Sequence, residues 1–371
     1  MKKFFGLIVA AALILNCSTS FAAEKLIEAS GEYVMDTRLD ETFASGTARA
    51  REEAKRNAVE KAGTYLRSYS KTSDLELVED EVETVASRLL KIQNESSNVE
   101  PAGENLLKFV VKIKALVDDL SDADLKAMVQ DKQSLNDAAR KYKALQDEYD
   151  ALKAQMDQLK REYDSANDTR KVEIKKRVAR NSKNFSAVEA TARGNDFYFA
   201  KNFAQALAAY DEAVMLNPNY AEAYNNRGIV KYELGQYEAA ISNYTMAIKL
   251  RQNFVDALNN RGNAYMAVGR LQDAAQDLQA ALKLNDNNAA CHNNLGSVYH
   301  LLKNFDAAIR EYSRAIQINP AYAEAYYNRG AIYYGQKKYA EALADVKKSM
   351  SLNLSDNATL DLYGKILRLM S

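Results

Sequence analysis

Four asparagines, Asn226, Asn260, Asn294 and Asn328, recur at intervals of 34 residues. A carboxamide donates and accepts hydrogen bonds but does not attack a substrate or titrate, so a row of them suits holding more than transforming. A second row at the same interval, Tyr198, Tyr232, Met266, His300 and Tyr334, supplies flat, apolar contact area. Residues that ordinarily run reactions are scarce. The chain has 2 His, at 292 and 300, with no Cys or acid cluster beside them, which makes a poor metal site. His292 also falls in the column of Tyr224, Leu258 and Tyr326, where a packing role is expected. There is no Gly-x-Ser-x-Gly, no phosphate-binding loop and no dinucleotide fingerprint. Acid pairs such as Glu52-Glu53 and Asp118-Asp119 are ordinary surface features. The expectation is a binding protein, not an enzyme, with no cofactor and no metal.

Elements at the same interval must position these rows. Gly194, Gly228, Gly262, Gly296, Gly330 and Gly364 are each 34 residues apart. Twelve residues after the first five stand Ala206, Ala240, Ala274, Ala308 and Ala342. Nineteen after them stand Ala213, Ala247, Ala281, Ala315 and Ser349, and sixteen after them Tyr210, Tyr244, Leu278, Tyr312 and Val346. Small residues let paired helices approach, and the large residues between them fill the holes left by neighbouring units. Pro218 and Pro320 stand just past helix ends, where the missing N–H costs little.

These columns resemble tetratricopeptide repeats, most closely in Ala323-Glu-Ala-Tyr-Tyr-Asn-Arg-Gly330. The resemblance covers five repeats, 187–220, 221–254, 255–288, 289–322 and 323–356, with 357–371 as a capping helix that leaves Asp361, Lys365 and Arg368 for solvent. Lys231 and Ala190 depart from the usual large residues. The resemblance implies that the first helix of each repeat lines a concave groove, that the four asparagines meet a peptide backbone there, and that the row from Tyr198 to Tyr334 lines the same groove. Packing between helices is the other reading of that second row. Chaperone-tail binders of this family carry Lys or Arg beside the Asn. Here the residue before each Asn is Asn225, Asn259, Asn293 or Tyr327, so that charge clamp is missing.

Before the repeats, spacings of three and four alternate from 135 to 166. One seam position holds Leu135, Tyr142, Tyr149, Met156 and Tyr163; the other holds Ala138, Leu145, Leu152, Leu159 and Ala166. This predicts a coiled coil that makes the protein a homo-oligomer. The alternatives are an amphipathic helix packed on its own chain and an antiparallel hairpin with 167–186. Ser121 to Asp124 reads as the start of the same long helix. Residues 167–186 are basic, with Arg170, Lys171, Lys175, Lys176, Arg177, Arg180 and Lys183. That run fits peripheral contact with anionic membrane lipid or cell-wall polymer, or a solvated helix face.

The N-terminus is an address. Met1-Lys2-Lys3, the apolar run Phe4–Leu15 and Ser20-Phe21-Ala22 read as a secretory signal peptide cut after Ala22. Lipidation at Cys17 is the alternative, disfavoured by Asn16 before it. The protein is expected to be exported to the periplasm or cell envelope, with Cys291 as a buried, inert thiol. Residues 23–119 read as an α+β domain: a strand over 26–35, a helix over 41–67 with Ala50, Ala54, Ala58 and Ala62 as a small-residue stripe, a helix over 75–92 and a strand over 106–117. Ala29-x-Gly-x-Tyr33, Ala50-Arg-x-x-Ala54-x-x-x-Ala58 and Val111-x-Ile-x-Ala-x-Val117 resemble an envelope domain shared by a flagellar assembly protein of the T type and small bacterial lipoproteins. That implies an accessory role in the envelope.

Charge is balanced, 50 Lys+Arg against 50 Asp+Glu, which argues against a nucleic-acid binder. The expected fold class is mainly α: a small N-terminal α+β domain, a long coiled-coil helix with a basic linker (121–186), then an α-solenoid. The expected function is an exported scaffold that binds partner proteins or extended peptides. The alternative is a non-enzymatic binder of wall glycan or anionic lipid through the basic linker and groove tyrosines.

Overall fold

The computed structural model describes residues 25–39, 41–72, 79–117, 132–352 and 357–370. The expected signal peptide, the helix start at 121–124 and the 353–356 end of the fifth repeat lie outside them. The chain divides into two units, residues 1–179 and 180–371.

The first unit begins with β1 (Lys25–Asp36), α1 (Phe43–Thr72), α2 (Glu79–Leu89), β2 (Leu90–Gly103) and β3 (Leu106–Val117). The strands form an antiparallel sheet in the order β1-β3-β2. In β3, Phe109, Val111, Ile113, Ala115 and Val117 face the core and Lys112 and Lys114 face out. The alternation is that of a strand with one dry face. The alanine stripe Ala50, Ala54, Ala58 and Ala62 is fully buried. It meets β1 at Gly31, where an added Cβ would run into the Ala50 carbonyl and the Ala54 amide. Helix backbone thus rests directly on strand backbone, which only glycine permits.

The expected helix over 75–92 is shorter, ending at Leu89, and β2 follows at once. This strand has no alternation to betray it, and its side chains beyond Leu90 are exposed. Its backbone bonds to β3 make it a strand, with irregularities between Ile92 and Asn94 and between Pro101 and Gly103. Pro101 fits an edge strand, where a missing N–H is tolerated.

α3 (Lys132–Ser165) and α4 (Asp168–Phe199) follow. Much of the heptad seam is covered within its own chain. Met156 and Leu159 bury with Leu39, Ile174 and Val178, joined by Tyr163. Tyr149 and Leu152 are buried, and the Tyr149 hydroxyl donates to the Arg49 carbonyl at 3.3 Å. Leu145 is half-buried. The side chains of Leu135 and Tyr142 lie outside those described. A polar cluster fastens α3 to the sheet. The Tyr33 hydroxyl donates to Glu41 Oε1 at 2.7 Å, Arg49 donates to the same oxygen at 3.0 Å, and Lys160 Nζ donates to the Tyr33 hydroxyl at 2.8 Å. Burial holds the Lys160 ammonium below its ordinary pKa and the Tyr33 phenol above it.

The second unit is a run of helix pairs. The end of α4 pairs with α5 (Phe203–Leu216); then come α6 (Ala221–Glu233) with α7 (Tyr237–Leu250), α8 (Val255–Ala267) with α9 (Leu271–Leu284), α10 (Ala289–Leu301) with α11 (Phe305–Ile318), and α12 (Ala323–Gly335) with α13 (Tyr339–Ser351). The glycine column is explained by the residue sixteen later. A Cβ on Gly228 would lie 2.6 Å from Tyr244, and one on Gly296 would lie 2.7 Å from Tyr312. Each buried aromatic is then closed over by the next pair: Val230 over Tyr210, Ala264 over Tyr244, Ile332 over Tyr312. The small column at 206, 240, 274, 308 and 342 is wholly buried. Ser349, in the other small column, donates its hydroxyl to the Ala323 carbonyl at 2.9 Å. The last helix, α14 (Asn357–Met370), supplies Leu362 and Ile366 over Ala342 and Val346, which gives the fifth pair its cover. Among the described residues no helix is long and apolar enough to cross a membrane.

Candidate functional site

The four periodic asparagines sit in the middle of α6, α8, α10 and α12, the first helix of each pair. Each reaches back one repeat. Asn226 Nδ2 donates to Asn195 Oδ1 at 3.0 Å, Asn260 to Asn225 at 3.2 Å, Asn294 to Asn259 at 2.9 Å, and Asn328 to Asn293 at 3.1 Å. The doubled Asn-Asn pairs are therefore two halves of one device: the first residue accepts from the repeat ahead, the second donates to the repeat behind. Asn225 also donates to Asn226 Oδ1 at 3.1 Å. The Oδ1 atoms of Asn260, Asn294 and Asn328 have no protein partner among the described residues, and these side chains are half-buried. The repeat-to-repeat bond fixes which end of each amide remains open.

A second ladder runs beside the first, and sequence reasoning missed it. Arg227, Arg261 and Arg329, one residue before the column glycine, reach both the second helix of their own pair and that of the preceding pair. Arg261 holds Asp277 with two bonds of 2.6 and 2.8 Å and Thr245 at 3.0 Å. Arg329 does the same to Asp345 and Ser313, and Arg227 binds Asn243 and Asp211. The partners lie sixteen residues on either side, so the signal was present in the period. The bonds to Asp277 and Asp345 push the Arg261 and Arg329 guanidinium groups further above their ordinary pKa. In the fourth pair Leu295 replaces the arginine and is buried. His292 takes over, meeting Glu311 at 2.7 Å through Nδ1 and the Asp286 carbonyl at 3.1 Å through Nε2. His292 is thus a packing and bridging residue.

Residues 194–235, 230–269, 262–303 and 296–337 match the family described as TPR repeat, and 323–356 match the family described as tetratricopeptide repeat. Residues 194–356 are tetratricopeptide repeats. No curated protein matches the chain. Among solved structures, MamA is 28% identical, over 43% of this chain and 94% of its own, with a TM-score of 0.40. A thermophilic TPR protein of Thermus thermophilus is 22% identical, over 49% of this chain and 98% of its own, with a TM-score of 0.43. PilF of Pseudomonas aeruginosa is 18% identical, over 51% of this chain and 86% of its own, with a TM-score of 0.48. Tetratricopeptide repeats serve as scaffolds for protein–protein interaction and are in general binders without catalysis.

Each member of the second periodic row packs against the first residue of the following helix in its own tetratricopeptide pair. The ring of Tyr232 lies 5.2 Å from that of Tyr237, Tyr198 lies 6.0 Å from Phe203, His300 lies 5.8 Å from Phe305, and Tyr334 lies 6.0 Å from Tyr339. Met266 packs with Leu271 in the third repeat. His300 is exposed and the other four are half-buried. Cys291 is buried, its Sγ donating to Asn259 Oδ1 at 3.3 Å, and burial pushes the thiol up to about 12. No group of His, Cys, Asp and Glu among the described residues could hold a metal ion.

Proposed function

We propose that the first-helix face of the repeats docks an extended segment of a partner protein, and that the chain acts as an exported scaffold of the cell envelope. The carrying observation is the asparagine ladder. Asn260, Asn294 and Asn328 commit Nδ2 to the preceding repeat and keep Oδ1 open, which sets acceptors at the repeat interval on one row. Backbone N–H groups of an extended chain are the matching donors. Around the ladder stand the uncharged Asn259, Asn263, Asn293 and Ser297, while the neighbouring Arg227, Arg261 and Arg329 are held by Asp211, Asp277 and Asp345. Asn263 Oδ1 is buried with no partner, one more acceptor in the same row of helices. Binding there relies on amides and responds weakly to salt. Export rests on the signal-peptide pattern at 1–22 and on the envelope-domain resemblance of 26–118. Less supports the glycan or lipid reading: the repeat tyrosines face their own helix pairs, and Arg170 and Arg177 are paired with Glu162.

The test is the double variant Asn260→Ala with Asn294→Ala, compared with the parent in cross-linked capture of partners from envelope extract. Partners are expected to be lost from the variant while its helical circular dichroism persists, because each lost amide bond costs about 1 kcal/mol. An unchanged partner set overturns the assignment.

A further inference from the structure

The two edges of the N-terminal sheet differ. On β1 three backbone carbonyls are taken by side chains: Lys61 Nζ donates to the Glu28 carbonyl at 2.7 Å, Asn57 Nδ2 to Ser30 at 2.7 Å, and Lys160 Nζ to Val34 at 2.8 Å. That edge is closed. On β2 no side chain bonds to the backbone of residues 92–100 among the described residues, and all nine are exposed. An edge strand with free N–H and C=O groups is a template for another strand.

The side chains of this edge specify which strand. Register with β3 places Ile92 opposite Ala115 and Val99 opposite Phe109, so both project on the core face of the sheet, yet they are 42% and 39% exposed. Lys91 and Glu100 lie on the other face, opposite Leu116 and Lys108. Gln93 is the extra residue of the bulge between Ile92 and Asn94. Lay β2 antiparallel on a copy of itself with Ser96 on the two-fold axis and Gln93 again left out. Glu95 then meets Ser97, Asn94 meets Asn98, Ile92 meets Val99 and Lys91 meets Glu100. Core-face residues meet core-face residues throughout. The two exposed aliphatic side chains cover each other, and Lys91 meets Glu100, whose carboxylate stands 3.7 Å from Lys108 Nζ of its own chain, each pair occurring twice by symmetry. Centring the axis on Glu95 instead sets Ile92 against Ser97 and brings together two carboxylates, each held by Arg51 of its own chain. Centring it on Ser97 sets Val99 against Glu95.

We propose that β2 is a self-association edge, pairing antiparallel with β2 of a second copy about Ser96 to give a continuous six-stranded sheet. The occupant is a second copy because the strand is complementary to itself in one register, in charge, in apolar contact and in bulge position.

The test measures the monomer–dimer equilibrium of the full chain by sedimentation velocity. The parent should dimerise. Lys91→Glu and Glu100→Lys should each weaken the dimer about tenfold or more, since two cross-strand attractions become repulsions. The double variant Lys91→Glu with Glu100→Lys should restore it. Ser96→Cys should be joined to its copy by a short bismaleimide, whereas Ser30→Cys on the closed β1 edge should not; Cys291 is buried and silent. Unchanged circular dichroism shows each variant is folded. A parent that stays monomeric, a dimer indifferent to Lys91→Glu, folded single variants not rescued by the double, or equal cross-linking at Ser96→Cys and Ser30→Cys overturns the proposal.

Discussion

Both units of this chain bring backbones into contact through residues without bulk, but they do so differently. In the first unit Gly46 faces the Phe109 ring, but one approach is of another kind: Gly31 of β1 rests against the Ala50–Ala54 turn of α1. The obstacle there is main chain, which cannot rotate away. In the second unit the approach recurs from Gly194 to Gly330, and the obstacle is a side chain, Tyr210, Tyr244, Leu278, Tyr312 or Val346. A side chain can be exchanged, and two repeats have exchanged it. A contact made against backbone leaves no alternative residue; a contact made against side chain permits drift, provided the two columns drift together.

The sharpest way to break this comparison is Gly31→Val. The added carbons meet backbone on both sides, and the first unit is expected to lose about 4 kcal/mol or more. Hydrogen exchange should lose protection over 25–117 and keep it over 221–350. Loss of protection in both would show that the units do not stand independently. Next in size is a pair within the repeats. Gly228→Ala pushes on the Tyr244 ring at 2.6 Å and should cost about 2–3 kcal/mol in thermal unfolding, whereas Gly330→Ala meets Asp345 and Val346 at 3.2 Å and should cost under about 1 kcal/mol. Equal costs would remove the link between the two columns.

The arginine ladder gives a middle-sized effect. Arg261→Ala strips three bonds and leaves the buried Asp277 unpaired, so a loss of about 2 kcal/mol is expected in denaturant unfolding. A change below about 0.5 kcal/mol would make that ladder decoration. The smallest expected effect is a gain. Where the second and third repeats turn with Gly235 and Gly269 at positive φ, the fourth has Lys303 at φ 61°. Lys303→Gly should stabilise by about 0.5 kcal/mol, seen as a small rise in melting temperature.

Much of the repeat unit was legible in the residue pattern, because a period of 34 residues repeats one local problem and its solution. Gly228 with Tyr244 and Gly296 with Tyr312 state the same constraint twice. The site was legible only in part. The period exposed the asparagines, but their mutual bonds depend on how far one first helix lies from the next, a distance no single repeat contains. The row from Tyr198 to Tyr334 had the right period and two readings; the rings of Phe203, Tyr237, Phe305 and Tyr339 show where its aromatic members pack. β2 was not legible at all. Its exposed residues carry no burial pattern, and a strand formed by hydrogen bonds to β3 alone writes nothing in side-chain periodicity.

The sequence by itself determined the helix pairs, their phase, the small columns that let them touch and the alanine stripe on α1, since each follows from side-chain size at a spacing set by the helix. Only the tertiary structure decided the rest: that Met156 and Leu159 bury against Ile174 and Val178 of the same chain, that the asparagine amides point one way, and that one edge of the sheet is closed while the other is open. These depend on distances between segments far apart in the chain, and a pattern of residue types records which faces want cover without recording what covers them.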